Sequence, residues 1–132
     1  MEWENIPDDI EEYVGFVYTI TNNINHKYYI GQKKFWSKVT LPPLKGKSRK
    51  RHKVKESDWK KYYGSSNELL EDIKKYGKEN FTRSISKNLK SKSKMNYEET
   101  WQQFKNSVLF DKMSYNRIIN CRINCNQLGV KK

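Results

Sequence analysis

The chain has 132 residues, enough for one domain (residues 1–132) but too few for a separate recognition module. Its 27 Lys and Arg against 15 Asp and Glu give a net charge of +12, which favours a polyanionic partner, above all nucleic acid. No apolar run approaches the roughly 18–20 residues of a membrane span, and no signal-peptide pattern opens the chain. We therefore expect a soluble, cytoplasmic protein with no membrane partner.

The first twelve residues form an acidic segment interrupted by Pro7. All six acids of residues 1–26 lie in it, and no Lys or Arg occurs before residue 27. We predict that residues 1–12 form an arm that packs only loosely on the domain. The positive charge is therefore concentrated in residues 27–132.

Two short segments rich in β-branched and aromatic residues follow the arm. They are "VGFVYTI" at 14–20 and "KYYIGQ" at 27–32, and the Asn-rich "TNNINH" between them suits a tight turn. This pattern predicts a hairpin with Tyr18 and Tyr29 on neighbouring strands. Two strand tyrosines can simply stabilise a hairpin, so a catalytic role needs further support.

Residues 38–57 are strongly basic, with seven Lys or Arg among residues 45–55, and contain two prolines and a glycine. We predict a mobile loop that tracks the phosphate backbone of DNA, although a solvated charge run or a nuclear-localisation-like tract has the same composition. Trp36 and Trp59 nearby could stack on bases. The candidate DNA-binding residues are Lys45, Lys47, Arg49, Lys50, Arg51, Lys53, Lys60 and Lys61.

The second half of the chain predicts a helix, a strand and a second helix. Ser65 and Glu68 form a capping-box pattern ahead of the first helix, which Gly77 ends. Residues 81–88 predict a third strand. The second helix spans "NYEETWQQFKNSVLF", and we expect its apolar stripe to face the sheet. The stripe consists of Tyr97, Trp101, Phe104 and Val108.

These segments, in this order over positions 14–116, resemble the GIY-YIG nuclease family, in particular small phage-type members related to the Seg homing endonucleases. "GFVY" resembles the first motif, with Val17-Tyr18 as the matching pair, and Tyr29-Ile30-Gly31 gives the second motif intact. "DWKKYYGSS", "IKKYGKENF", "YEETWQQF" and "SYN" extend the similarity downstream.

The resemblance implies an α/β (α+β) fold with a small three-stranded antiparallel sheet flanked by helices. It also implies cleavage of DNA phosphodiesters with one divalent metal, Mg²⁺ or Mn²⁺. By position, Tyr18 would be the general base or a relay to water, and Tyr29 would support water or phosphate. A glutamate of the later helix would hold the metal, and Asn116 of "SYN" would help form the site, unless it is only a turn residue.

One position departs from the family pattern. Many members carry an arginine at the start of the helix after the second motif, where this chain has Asp58. We expect Lys33 to supply the missing cation, although it could equally be a surface lysine. Lys61 and Arg51 are weaker candidates, and Tyr62 matches a position that holds His or Tyr in the family.

Two adjacent acids compete for the role of metal ligand. Glu99 fits the family pattern better, whereas Glu98 lies closer to the apolar stripe and so points more naturally toward a sheet. We favour Glu99. It could instead be the third-position carboxylate of a helix capped by Asn96.

Three functions are compatible with these observations. The first is a metal-dependent DNA endonuclease, which could act as a homodimer where both strands are to be cut. The second is a catalytically inactive nucleic-acid-binding protein that retains the fold. The third is a small basic inhibitor or scaffold. An HNH-type nuclease is disfavoured, because His26 and His52 are the only histidines and lack a supporting motif.

Overall fold

Residues 2–132 are described by a computed structural model, in which a three-stranded antiparallel sheet forms the centre of the fold. Strand β1 (Gly15–Asn22) lies in the middle, between β2 (Tyr28–Lys34) on one side and the later strand Phe81–Leu89 on the other. The α+β prediction, the hairpin and the third strand are thereby confirmed.

The central strand is buried on both faces. Phe16, Tyr18 and Ile20 face one hydrophobic cluster, and Val17 faces a second cluster on the opposite side of the sheet. Side chains alternate between the faces of a strand, so each face needs its own cover. The two long helices described below provide it.

The basic segment is mostly a second, two-stranded sheet rather than a mobile loop. Strand β3 (Trp36–Leu41) pairs antiparallel with β4 (Arg51–Glu56), and the prediction of a mobile loop over 38–57 is wrong for residues 38–41 and 51–56. β-branched residues such as Val39 and Val54 favour extended backbone. The hydrogen bonds between the two strands satisfy the backbone N–H and C=O groups without burying the segment. Every residue of β4 remains exposed.

The acidic N-terminal arm is anchored in the core, so the prediction of loose packing is wrong. Trp3 is only 5% exposed, and its indole Nε1 donates a 2.7 Å hydrogen bond to the backbone oxygen of Trp59. Its ring meets Phe16 and Tyr18 edge-on, with ring centroids 5.1 and 5.2 Å apart. The arm therefore packs directly against the tyrosine of the first motif.

We expect Trp3→Ala to lower the free energy of unfolding by about 3–5 kcal/mol, the range for truncating a buried Trp or Phe. Chemical denaturation followed by tryptophan fluorescence measures this loss. The exposed neighbour Glu2 provides a control, because Glu2→Ala should change stability by about 0.5 kcal/mol or less. Equal, small effects of the two substitutions would show that the arm is not part of the core.

Helix α1 (Asn67–Tyr76) covers the tyrosine face of the sheet. Ser66, not Ser65, is its N-cap: the Ser66 hydroxyl accepts a hydrogen bond from the Leu69 amide, and the chain leaves the helix at Gly77, as predicted. The predicted cap is therefore displaced by one residue. The displacement frees the Ser65 hydroxyl for a different contact.

Strand β5 (Phe81–Leu89) leads into helix α2 (Lys92–Lys105), which Ser91 caps. The helix lies on the face of the sheet opposite the tyrosines, but the expected orientation of its apolar stripe is wrong. Tyr97, Trp101 and Phe104 are 53–64% exposed, and of the stripe only Val108, beyond the helix end, is buried. Of the helices in residues 2–132, none has the length and apolarity needed to cross a membrane.

Helix α2 turns a largely polar face inward because that face binds the exposed edge of β2. Gln103 donates to the backbone oxygen of Ile30, and Asn96 and Glu99 both accept from the Gln32 side chain. Edge-strand and buried polar groups need such partners. With Ser91 as the cap, Asn96 lies inside the helix and Glu99 is not part of a capping box.

Candidate active site

The two motif tyrosines share one face of the sheet. Tyr18 is paired with Gly31 across β1 and β2, and Tyr29 lies two residues from Gly31, so both rings project on the same side. Their ring centroids are 6.2 Å apart. The sequence prediction of two neighbouring phenols on one face is confirmed.

Gly31 is required by the position of the Tyr18 hydroxyl. A Cβ at residue 31 would lie 2.6 Å from the Tyr18 oxygen and 2.8 Å from the Tyr29 ring. The second motif therefore ends in glycine because the phenol of the first motif occupies the space of a side chain. The pairing of β1 with β5 also shifts register between Val17 and Tyr18, and such irregularities adjust the direction of a strand next to functional sites.

Both phenols are neutral near pH 7. Burial raises the pKa of Tyr18 well above its ordinary value of 10, and negative charge on Tyr29, Tyr62 and Glu99 would raise it further. Burial also raises the pKa of Tyr29, while its 3.1 Å hydrogen bond with the Ser65 hydroxyl acts in the opposite direction. Either tyrosine could lose its proton only if a cation stabilised the phenolate.

Lys33 supplies a positive charge beside this face. Its Nζ lies 4.3 Å from the ring centroid of Tyr62, and that ring meets Tyr18 edge-on at a centroid distance of 6.1 Å. A 2.7 Å ion pair joins Lys33 to Asp58, and it lowers the pKa of that carboxyl. The acid at the position of the family arginine is thus the ion-pair partner of the lysine predicted to replace it. Lys61 and Arg51 are exposed.

Glu99 reaches the site from helix α2. Its Oε1 accepts a 2.9 Å hydrogen bond from Gln32, whose other amide atom accepts from Lys92. Burial raises the pKa of Glu99, while Gln32 and Lys92 act to lower it. A partly desolvated carboxylate of this kind is stabilised by a positive ion.

Glu98 points elsewhere. Its carboxylate accepts from Gln102 and lies 3.7 Å from the Nζ of Lys87, which belongs to β5 at the opposite edge of the sheet. The argument that favoured Glu98 assumed that the aromatic stripe of α2 faces inward, and it does not. Glu99 is thus the one of the two acids that lies beside the tyrosines.

Asn116 braces the edge of β2. Its side-chain oxygen accepts from the Ile30 amide and its nitrogen donates to the Ile30 oxygen, both at 2.9 Å. The backbone of Tyr28 donates a hydrogen bond to the Met113 oxygen and accepts one from the Tyr115 amide, and these bonds hold the segment that carries Asn116 beside the strand. Asn116 thus fixes the strand that carries Tyr29.

A cavity of about 590 Å³ opens between α1, α2 and the edge of β2. It is lined by Tyr29, Ser65, Glu99, Gln103 and Asn116, among others. Tyr18 and Lys33 do not line it; the Tyr18 hydroxyl lies beside Tyr29 at Gly31. The structure thus brings together the second-motif tyrosine, the helix glutamate and the asparagine, with the first-motif tyrosine behind them.

The residues fit a metal held by a single protein carboxylate. Within residues 2–132 no three Asp, Glu, His or Cys side chains form a metal-binding group. Mg²⁺ commonly uses one or two carboxylates, with water and substrate phosphate completing its octahedron. Glu99, which is partly buried and faces an open cavity, suits that mode.

The predicted DNA-binding side chains lie on exposed surface. Arg51, Lys53 and the neighbouring Lys55 alternate along β4 and so project from one face of the ribbon, about 7 Å apart. Lys60 lies 4.0 Å from Glu56. Trp59 is buried, and Trp36 is half-buried with its indole Nε1 donating to the backbone oxygen of Tyr13. Stacking on bases needs exposed rings, so the expectation that these two tryptophans serve that purpose is wrong.

A family comparison agrees with this geometry. Residues 2–120 match the family model described as "Putative endonuclease segE, GIY-YIG domain". The chain belongs to the GIY-YIG endonuclease family. Searches of curated proteins and of solved structures gave no match. The matched range includes the arm, the ribbon and both helices of this GIY-YIG domain.

Three residues of this GIY-YIG site escaped the sequence analysis. Ser65 was assigned to a helix cap, and no role was assigned to Gln32 or to Gln103, although Gln103 lies in the quoted segment "YEETWQQF". The adjacent serines 65 and 66 are equivalent as caps in sequence. The roles of Gln32 and Gln103 become visible only in their hydrogen bonds at the edge of β2.

Proposed function

We propose that this GIY-YIG domain is a metal-dependent endonuclease that hydrolyses phosphodiester bonds of double-stranded DNA. The observation that carries the proposal is the position of Glu99 at the same cavity as Tyr29, with Tyr18 beside it. Family membership supports nuclease chemistry in general. The similarity to Seg endonucleases also favours a homing-like role in a phage or another mobile element.

Hydrolysis needs a positioned water, neutralisation of charge on the phosphoryl oxygens and help for the leaving oxygen. The Tyr29 hydroxyl, held by Ser65, donates a hydrogen bond to the phosphate or the water. Tyr18 first releases its own proton to solvent, which requires a neighbouring cation to stabilise the phenolate, and the phenolate oxygen then accepts the proton of the attacking water. Lys33, which contacts the Tyr62 ring, offsets the negative charge of the neighbouring Tyr18 phenolate.

Glu99 would hold Mg²⁺ or Mn²⁺. When bound, a divalent cation supplies positive charge to the phosphoryl oxygens. The raised pKa of the Glu99 carboxyl suits this role, because a neighbouring cation favours the ionised form that burial disfavours. Gln32 orients the carboxylate, and Lys92 orients Gln32 from the other side.

One such site cuts one strand per encounter. Cleavage of both strands then requires either two successive nicks or a homodimer on the DNA. The exposed Lys and Arg of the β3–β4 ribbon provide attraction to the phosphate backbone in either case.

Incubation of supercoiled plasmid with the purified protein, with and without Mg²⁺ or Mn²⁺, tests the proposal. We expect open-circular or linear product only with the metal. Plasmid that stays supercoiled while the protein binds it would favour the second candidate, an inactive DNA-binding protein. The specific observation in favour of that candidate is Asp58 at the position of the family arginine.

We expect Lys33→Ala to lower the cleavage rate by about tenfold or more, equivalent to about 1.4 kcal/mol of lost transition-state stabilisation. Stability should change by only about 1 kcal/mol, because the Asp58 side chain of the ion pair is 71% exposed. Plasmid cleavage time courses measure the rate. Lys74→Ala on the exposed surface of α1 is the matched control, and equal rates for the two variants would remove Lys33 from the site.

A further inference from the structure

A groove with a volume of about 700 Å³ lies between the β3–β4 ribbon and the N-terminal end of α2. Four lysines line it: Lys33 and Lys34 from the end of β2, Lys38 from β3, and Lys92 from the first turn of α2. No acidic residue is among its lining residues, and apolar side chains such as Val14 and Val54 form part of its walls. The groove is therefore a concentrated positive surface, separate from the cavity that holds Tyr29 and Glu99.

Lys34 and Lys92 of this groove are close enough to repel each other. The pKa of Lys92 is lowered, first by burial and then by the positive charge of Lys34. Lys92 donates to the neutral Gln32 and is attracted by the more distant Glu99, whereas Lys33 forms an ion pair with Asp58. An anion placed between these ammonium groups would relieve the repulsion.

The groove is connected to the candidate active site at two points. Lys33 lines the groove and also contacts the Tyr62 ring, which meets Tyr18. Lys92 lines the groove and bonds to Gln32, which bonds to Glu99. The groove is therefore linked to the candidate active site through two chains of side-chain contacts.

We propose that this lysine groove binds the phosphate backbone of duplex DNA next to the scissile phosphate. The inference rests on the proposed endonuclease function and adds a binding site to it, with Lys34, Lys38 and Lys92 as its ligands. A row of cations that follows a groove matches the regular charges of a DNA strand better than a single small anion. The ribbon forms one wall of the groove through Lys38 and Val54, which pair across β3 and β4 and share a face.

The test compares the salt dependence of DNA binding between two variants of equal net charge. One carries Lys34→Ala, Lys38→Ala and Lys92→Ala, and the other carries Lys74→Ala, Lys112→Ala and Lys131→Ala at exposed positions outside the groove. Both are made in the full-length Tyr18→Phe chain, so that cleavage does not disturb the measurement. Fluorescence anisotropy of a short labelled duplex gives the dissociation constant at about 50–200 mM salt.

The slope of log K against log salt is negative, and each lost phosphate contact reduces its magnitude by about 0.9. The magnitude should therefore fall by about 2.7 in the groove variant and by less than about 1 in the control variant. Equal slopes for the two variants, or no binding by the parent chain, would overturn the proposal. Circular dichroism melting verifies that both variants fold.

The outcome for the groove is distinguishable from the outcome for the endonuclease. If the groove variant alone loses slope and the wild-type chain never cuts plasmid, the endonuclease is refuted and a DNA-binding groove remains. Plasmid cleavage combined with equal slopes would refute the groove and leave the endonuclease.

Discussion

Tyr18→Phe is expected to reduce the rate of plasmid cleavage by about 10²–10⁴-fold, the range for loss of a group that transfers a proton. The substitution removes one oxygen atom and keeps the ring that packs against Trp3 and Phe16. The cost in stability should be about 1 kcal/mol, as for one lost hydrogen bond. Single-turnover cleavage and thermal melting measure the two effects independently.

Tyr28→Phe is the matched control. Tyr28 is adjacent to Tyr29 on β2, but its hydroxyl donates to Asp111, outside the cavity. Burial, followed by this hydrogen bond, raises the pKa of Tyr28 to about 12, so this phenol is also neutral near pH 7. Cleavage should stay within a few-fold of wild type. Equal losses for both variants would show that the effect on Tyr18 is not specific.

The pH profile gives a second readout for Tyr18. Since its pKa is raised above the ordinary value of 10, the tyrosine is protonated across the neutral range. The wild-type rate should therefore still be rising with pH above neutrality. In Tyr18→Phe the residual rate should lose this dependence.

Glu99→Gln is expected to reduce cleavage by about 10³-fold or more and to raise stability at pH 7. The expected loss of activity follows from removal of the charge proposed to hold the metal, since a bound metal typically contributes several kcal/mol to catalysis. The gain in stability follows from the raised pKa of the carboxyl: ionisation of a partly buried Glu99 disfavours the folded state, and glutamine does not ionise. Plasmid cleavage and thermal melting measure the two.

The sign of the stability effect depends on pH. A folded-state pKa above the unfolded value means that the stability of wild type is lost as pH rises through the folded pKa. The advantage of Glu99→Gln should therefore shrink as the pH falls toward and below 4.5, the ordinary value of the glutamate carboxyl. A variant that is less stable than wild type at pH 7 would contradict this explanation.

Glu98→Gln controls for position on the helix. Glu98 pairs with Lys87 on β5, away from the cavity, so its removal should leave cleavage near the wild-type rate. Loss of cleavage in Glu98→Gln, with retention in Glu99→Gln, would transfer the metal site to the other acid.

The tyrosine pair could be predicted from the sequence because local pattern determines it. Alternation places Tyr29 and Gly31 on one face, and an Asn-rich turn fixes the register that pairs Gly31 with Tyr18. The sheet and the glycine stop of α1 follow from equally local signals.

Helix α2 could not be oriented in the same way. Its aromatic stripe has the spacing of a core face, yet the inward face is polar because Ile30 and Gln32 at the edge of β2 need hydrogen-bond partners. That need arises from tertiary structure, and a single-sequence pattern does not contain it. The arm and the ribbon were misjudged for a related reason: charge density conceals both the anchor Trp3 and the strands β3 and β4.

The sequence analysis predicted Lys33 as a cation of the site, but it did not predict the ion pair between Lys33 and Asp58. Lys33 lies on the tyrosine face because strand alternation puts it there with Tyr29 and Gly31. Its pairing with Asp58 joins residues 25 positions apart in sequence, counted as 58 − 33. The lysine and the aspartate were each noted, but only the fold shows that they are partners.

A crystal structure of the Tyr18→Phe variant with duplex DNA and Mg²⁺ tests the central claim most directly. Our account predicts one backbone phosphate within hydrogen-bonding distance of the Tyr29 hydroxyl, and one Mg²⁺ about 2.1 Å from a Glu99 oxygen and bound to the same phosphate. A phosphate bound on the opposite face of the sheet, or a metal held by residues other than Glu99, would contradict it.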